Sequence, residues 1–457
     1  MTTFHAEEAL LPTGWASRVR IEVDGRGDIA SVDANASAQG AERLAGPVLP
    51  GMASLHSHAF QRAMAGLAEV RGSSEDDFWS WRELMYQFVA RLTPEQGAAI
   101  ARFVYIEMLK SGYTAVGEFH YVHNDTGGQR YPNVAEMSLA HVAAARDTGI
   151  AITMLPVLYT YGNFGAAALG PRQQRFRTDP DTILSIVRAV RSTAAGEPDV
   201  RAGVAPHSLR AVDLDGLQDL LAGLTEIDPQ APVHIHAAEQ MREVADSLAF
   251  SGQRPVEWLL EHLPVDRRWC LVHATHLTDA ETRALALSGA VAGLCPTTEG
   301  NLGDGIFPLP QFRAGGGRFG IGCDSHVSRN PFEELRLLEY VQRLVLRRRN
   351  VTAGKVSAAV GTTLWLEAAA GGAQAVGRAM GAIAAGSRAD FVVLDATRPD
   401  LAGRSGDRIA NAAVFSGTEG LVRDVMVGGR WQIREGHHPG EADASANYTK
   451  AVKELLA

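Results

Sequence analysis

The chain has 457 residues, 46% of them apolar and 21% charged, which is a globular composition too long for one ordinary core. Its 43 Lys and Arg against 52 Asp and Glu leave a formal charge of −9, and this removes support for nucleic-acid binding, which needs a clustered basic face. Cys270, Cys295 and Cys323 are too widely spaced for a Cys-x-x-Cys redox or metal motif, and their odd number frames no disulfide set.

Met1–Glu8 lacks a basic start followed by an apolar stretch, and no apolar run reaches the roughly 18 residues of a membrane span. A cytoplasmic enzyme with neither nucleic-acid nor membrane partners is therefore expected. Residues 1 to about 50 read as short strands: Arg18–Val23 alternates in the β manner, and Leu44–Leu49 is a short apolar stretch before Pro50-Gly51.

From about residue 51 to 380 the texture changes. Strand-like runs at Thr114–Phe119, Ile150–Leu158, Ala202–Ala205, Pro232–His236, Cys270–His273, Ala290–Leu294 and Phe319–Gly322 alternate with helical stretches such as Pro94–Ser111, Asp181–Ala195 and Pro331–Arg348. This order predicts a parallel α/β architecture. A closed eight-stranded barrel fits the length, and so does a doubly wound sheet; periodicity does not choose between them. The Arg347-Arg348-Arg349 run reads as a solvated helix end. Past residue 381 strands return at Asp390–Leu394, Val422–Val427 and, after a Gly-Gly turn, Trp431–Arg434. The economical layout joins residues 1–50 and 381–457 into one small β-domain beside a barrel of residues 51–380.

The sharpest local signal is His56-Ser57-His58. In a strand, residues i and i+2 share a face, so both imidazoles can converge on one ion. Alone, a His-x-His is weak evidence. Here Val233-His234-Ile235-His236-Ala237-Ala238-Glu239, Leu271-Val272-His273 and Gly322-Cys323-Asp324-Ser325-His326 end further apolar runs. Four strand ends thus carry residues competent to bind metal or move protons, at what would be one rim of an α/β barrel.

These residues, together with the C-terminal run from Gly386 to Asp395 (Gly-Ser-Arg-Ala-Asp-Phe-Val-Val-Leu-Asp), resemble the amidohydrolase superfamily. The resemblance spans nearly the whole chain and implies a (β/α)8 TIM barrel with a β-sandwich built from both termini. It implies His56, His58, His236 and Asp324 as metal ligands and His273 as the proton-handling histidine. His234 is expected to be a buried residue hydrogen-bonded behind the site, with His276 and His326 also in supporting positions. No lysine stands where two-metal members carry a bridging one, so one metal per subunit is expected. Three His and one Asp suit zinc; ligand identity alone leaves iron and manganese open. The His-x-Glu and Pro-Cys-x-x-Cys pattern of cytidine-deaminase-type enzymes is missing.

The His236-to-Glu239 spacing resembles the superfamily's deaminating branch, where hydroxide attacks a C=N carbon and ammonia departs. Glu239 would carry the proton to the leaving nitrogen; the plainer alternative is a carboxylate that orients a ligand. Further stretches (His58–Leu67, Phe78–Tyr86, Glu118–His123, His207–Arg210 and Asn301–Gly305) are similar to members acting on a linear amidine with two carboxylates. That likeness implies substrate contacts from Gln61, Tyr121, His207 and Arg210, a second-carboxylate contact from Arg82 in its own subunit or across an interface, and a homodimer. The alternatives are an aminoheterocycle substrate such as guanine on the same fold, or a barrel that serves only as a scaffold. Cys323, beside Asp324, is expected to disturb the metal little and to add sensitivity to oxidation or soft metals.

Overall fold

The computed structural model describes residues 1–70, 78–354 and 356–457, with the side chains of 78–80 also outside the description. The similarity noted at Phe78–Tyr86 is therefore described from Trp81 onward.

Strands from both ends form one eight-stranded sheet. They are β1 (Thr2–Leu11), β2 (Gly14–Val23), β3 (Ile29–Asp33), β4 (Glu42–Arg43) and β5 (Val48–Pro50) from the N-terminal segment. The order runs from the last C-terminal strand through the one before it to β5, β1, β2 and β3, with β4 on β1. Gly428 and Gly429, at φ 54° and 74°, make the two-residue turn between the last two strands, a conformation that glycine adopts without a Cβ clash. Phe4 of β1 lies 5.9 Å from Trp431, edge to face, although their strands are four places apart in the sheet. A flat sheet would separate them by about 19 Å at ~4.8 Å per strand. The sheet therefore curls over so that its flanks enclose a small core of Phe4, Val19, Ile21, Phe391 and Met426.

The middle of the chain closes a barrel. Its parallel staves are β6 (Met52–Ser57), β7 (Tyr113–His120), β8 (Ala151–Leu158), β9 (Val200–Ala202) with β10 (Ala205–Pro206), β11 (Val233–Ala237), β12 (Trp269–His273), β13 (Val291–Leu294) and β14 (Arg318–Ile321). A bridge between Val204 and Val233 joins the two halves, and one between Ser57 and Asp324 closes the ring. The continuous run expected at Ala202–Ala205 is broken: a Cβ on Gly203 would lie 2.4 Å from the Pro232 carbonyl, so backbone takes that space. Strands β6, β7 and β8 are buried at every position, which explains their unbroken apolar character.

The terminal sheet is completed by β15 (Phe391–Leu394), β16 (Val422–Val427) and β17 (Arg430–Ile433). Helices sheathe the barrel, and their ends are written in the sequence. Thr93 and Gln96 form a reciprocal cap with Pro94 in the first turn, and Gly112 at φ 104° stops the helix Pro94–Ser111. Helix Pro331–Leu346 ends at Arg347 in the left-handed region. The C-terminal segment also supplies helices Asp407–Ser416 and Glu441–Leu456. The latter lies on Pro94–Ser111, where Tyr448 stacks on Phe103 at 4.2 Å. No helix of the described residues is long and apolar enough to cross a membrane.

Candidate active site

Closure of the barrel assembles the first part of the site. The amide of Asp324 donates to the His56 carbonyl and the amide of His58 to the Asp324 carbonyl, each at 3.0 Å. Pairing β6 with the end of β14 thus sets His56, His58 and Asp324 side by side. Their side chains meet: Asp324 Oδ1 is 3.5 Å from His56 Nε2 and 3.4 Å from His58 Nε2. His236, one residue from the end of β11, brings its Nε2 to 3.1 Å from His56 Nε2. Strand ends here are abrupt. Ala238, His273 and Asp324 have φ of 51°, 66° and 49°, a region costly to residues with a Cβ and characteristic of functional sites.

Protonation follows from the partners. His58 Nδ1 donates to the Phe119 carbonyl at 2.7 Å and His236 Nδ1 to the His207 carbonyl at 3.0 Å, leaving each Nε2 as a bare lone pair aimed inward. Burial depresses all three imidazoles, His58 to about 3 and His56 and His236 well below the ordinary value. Two bare nitrogens 3.1 Å apart beside a carboxylate repel unless a cation shares them. The ligand atoms of His56, His58 and Asp324 all lie within 4.8 Å of one another, as do those of His56, His236 and His273. Imidazoles oriented through main-chain carbonyls, with one carboxylate, fit a divalent metal ion.

Beside this nest lies a proton-handling group. His273 Nδ1 donates to Glu299 Oε1 at 3.2 Å, and its Nε2 is 3.6 Å from both Glu239 Oε1 and Asp324 Oδ2. Burial opposes charge on His273, yet Glu239, Glu299 and Asp324 raise it well above the usual imidazole value. Burial raises Glu239 to about 7 against the pull of His273 and Arg210. Asp304, pushed up to about 9 by burial and then by Glu239, accepts a hydrogen bond from Gln240. The main chain of Glu239 is held by Glu243, which accepts from the amides of Ala238 at 3.1 Å and Glu239 at 3.2 Å.

The opposite wall of the same pocket carries Gln61, Arg82, Tyr121, His207 and Arg210. Gln61 Nε2 donates to the Tyr121 hydroxyl at 2.7 Å, which frees the phenol proton to point into the pocket. Burial holds Tyr121 well above the usual phenol value, and therefore neutral. His207 is kept neutral by burial first and then by Arg210. Arg82 lines the pocket of its own chain, close enough to Arg210 for each charge to be felt by the other.

Every site residue named from the sequence thus meets at the mouth of the barrel. His234 does not: its Nε2 donates to the Ala375 carbonyl at 2.8 Å, behind the site. Cys323 is fully buried and its thiol is pushed up to about 12 by burial, so the expected sensitivity to oxidation and soft metals finds no exposed thiolate. Sequence reasoning missed Glu299, Tyr86 and Tyr159. Glu299 lies in the short helix Pro296–Leu302 that follows β13, one strand end that the search for His and Asp passed over. Tyr86 and Tyr159 line the wall from positions that read as ordinary core aromatics.

With this barrel and this His and Asp cluster, the chain belongs to the amidohydrolase family, which it matches over residues 48–432. Residues 1–46 match the N-terminal domain of the formimidoylglutamate deiminase HutF. The chain is 52% identical to the formimidoylglutamate deiminase of Pseudomonas aeruginosa, with 100% of both chains covered. It is 29% identical to a 5-methylthioadenosine/S-adenosylhomocysteine deaminase of Natronomonas pharaonis, covering 88% of this chain and 84% of that one. The solved structure of an amidohydrolase from Brucella melitensis superposes with a TM-score of 0.94 at 48% identity, over 100% of both chains.

Proposed function

We propose that the chain hydrolyses N-formimino-L-glutamate to N-formyl-L-glutamate and ammonia, a step of histidine degradation, with one zinc ion held by His56, His58, His236 and Asp324. The observation that carries this reading is the placement of two guanidinium groups, Arg82 and Arg210, in the pocket that holds the His and Asp nest. A substrate with two carboxylates matches two cations, and a guanidinium grips a carboxylate through two parallel hydrogen bonds. A neutral aminoheterocycle gives those charges no partner.

What the ion supplies when bound is a water ionised near neutral pH. The chain's own residues do the rest. Gln61, Tyr121, His207 and Arg210 fix one carboxylate end of the substrate and Arg82 the other, so that the formimino carbon faces Glu239 and His273. His273, tethered by Glu299, holds the attacking oxygen in line through Nε2. Oxygen adds to the C=N carbon while Glu239 takes the proton, and a carboxyl near 7 is matched to that exchange at neutral pH. Glu239 then returns the proton to the former imine nitrogen. The C–N bond breaks with its electron pair going to ammonia, and the carbonyl of the formyl group forms. Without that return the leaving group would be an amide anion.

This reading keeps residues 51–380 as the catalytic barrel and residues 1–50 with 381–457 as the β-domain, and it takes the enzyme to be a homodimer, which sedimentation tests. The deciding experiment measures ammonia released by zinc-loaded protein from N-formimino-L-glutamate, guanine and 5-methylthioadenosine. Turnover of the first alone is expected. Turnover of either ring substrate in its place would overturn the assignment, and zinc binding without any turnover would favour a scaffold.

A further inference from the structure

Ser57 separates His56 from His58, and as the next residue along β6 it takes the opposite face from His56. Its hydroxyl donates to Glu118 Oε2 at 2.6 Å. Glu118 also accepts from the Tyr105 hydroxyl at 3.1 Å on Oε2 and from the Ala59 amide at 2.9 Å on Oε1. One carboxylate thus grips the chain on both sides of His58. His326 Nε2 lies 2.8 Å from Ser57 Oγ. Since Ser57 gives its own proton to Glu118, His326 is the donor there, and its main-chain amide donates to the Cys323 carbonyl at 2.9 Å. Glu118, Ser57 and His326 are all fully buried. They link β7, β6 and the loop after β14, which between them carry His56, His58 and Asp324.

We propose that Glu118 is a positioning residue for the metal centre: through Ser57 and the Ala59 amide it fixes the main chain of residues 56–59, and with it the two imidazoles. This rests on His56 and His58 being metal ligands. Glu118 also stands within 4.8 Å, ligand atom to ligand atom, of His120 and His141. With three donors already on its two oxygens, it acts there as an acceptor hub and not as part of a second ion site. Burial raises its pKa, and His141, Ser57, Ala59 and Tyr105 oppose the rise.

The geometry needs an acceptor at both oxygens. Glutamine offers one acceptor and one amine, so Glu118→Gln sets a donor against either the Ala59 amide or the two hydroxyls. The test compares full-length wild type with Glu118→Gln, Ser57→Ala and Tyr105→Phe. It reads zinc affinity by competition with a chelator, thermal midpoint, and kcat and KM for N-formimino-L-glutamate at saturating zinc. Glu118→Gln is expected to weaken zinc binding by at least about tenfold and to lower kcat, with KM changed less than about twofold because the arginine wall is untouched. Ser57→Ala should shift both in the same direction by less. Tyr105→Phe, which removes a donor not attached to residues 56–59, should lower the thermal midpoint and leave zinc affinity intact. If Glu118→Gln loses stability as Tyr105→Phe does but keeps wild-type zinc affinity and kcat, the proposal is overturned. Should Glu118→Gln not fold, unchanged zinc affinity and kcat in Ser57→Ala overturns it equally. Wild type that takes up no zinc would instead sink the ligand assignment beneath it.

Discussion

Two His-x-His pairs obey the same spacing and meet different fates. Both imidazoles of His56 and His58 reach the ion nest, whereas of His234 and His236 only the second does. Strand β6 stops at Ser57 and strand β11 at Ala237, so His56 and His236 occupy equivalent next-to-last places. His58 lies just past its strand, turned back over the rim by the short helix Ala59–Met64. His234 lies two residues deeper, about 6–7 Å down the barrel, where it binds the Ala375 carbonyl. Spacing of two fixes which face a side chain takes; the place where the strand stops fixes its depth.

The comparison is broken most severely by single substitutions in the second pair. His236→Ala is expected to abolish tight zinc binding and turnover together, as is Asp324→Ala, in metal analysis and ammonia-release assays. His234→Gln is expected to keep a full complement of zinc and turnover within about threefold. Equal loss of metal in the two histidine variants would show that depth does not separate them.

The next effect sharpens the division between nest and proton group. Glu239→Gln should retain zinc yet lower kcat by at least about 100-fold, the scale of acid–base assistance. Loss of zinc with it would make Glu239 the orienting carboxylate of the plainer alternative. Arg210→Met should act on the other wall and by less, lowering kcat/KM about 10- to 100-fold, as expected for about 1.5–3 kcal/mol from a charged hydrogen bond, with metal content unchanged. An unaltered kcat/KM would take Arg210 out of the substrate site.

How far these residues could be read from the sequence depends on what positioned them. Those on strand ends were visible because alternation fixes their face and the strand's end fixes their rim, as for His56, His236, His273 and Asp324. Gln61, Tyr121, His207, Arg210 and Arg82 carry no periodic mark and came from likeness to known loops. Glu299 stayed hidden because β13 ends in Leu294-Cys295 and the carboxylate waits until the fourth residue of the following helix. The break between β9 and β10 was hidden for another reason, since it depends on the Pro232 backbone lying against Gly203, a contact between segments about 30 residues apart. The polar grip of Glu118 on Ser57 has the same origin, two neighbouring staves facing each other across β6.

The smallest predicted effect tests the buried histidine where no ion and no substrate intervene. Burial lowers His234 to about 4, against a smaller opposing pull from the Ala375 carbonyl. Its folded pKa lies below the unfolded value of about 6.5. The unfolded chain therefore takes up a proton that the folded chain refuses as pH falls below 6.5, and stability drops through that window until about pH 4. At full separation one such group contributes a slope of about 1.4 kcal/mol per pH unit. His56, His58 and His236 add to the same slope in zinc-free protein, and His273, whose pKa is raised, works against it. In zinc-free chains unfolded by urea between pH 6 and pH 5, His234→Gln should flatten the fall in stability by about one proton relative to wild type. An unchanged slope would mean that His234 titrates in the folded chain as freely as in the unfolded one, and that depth in the barrel does not keep it neutral.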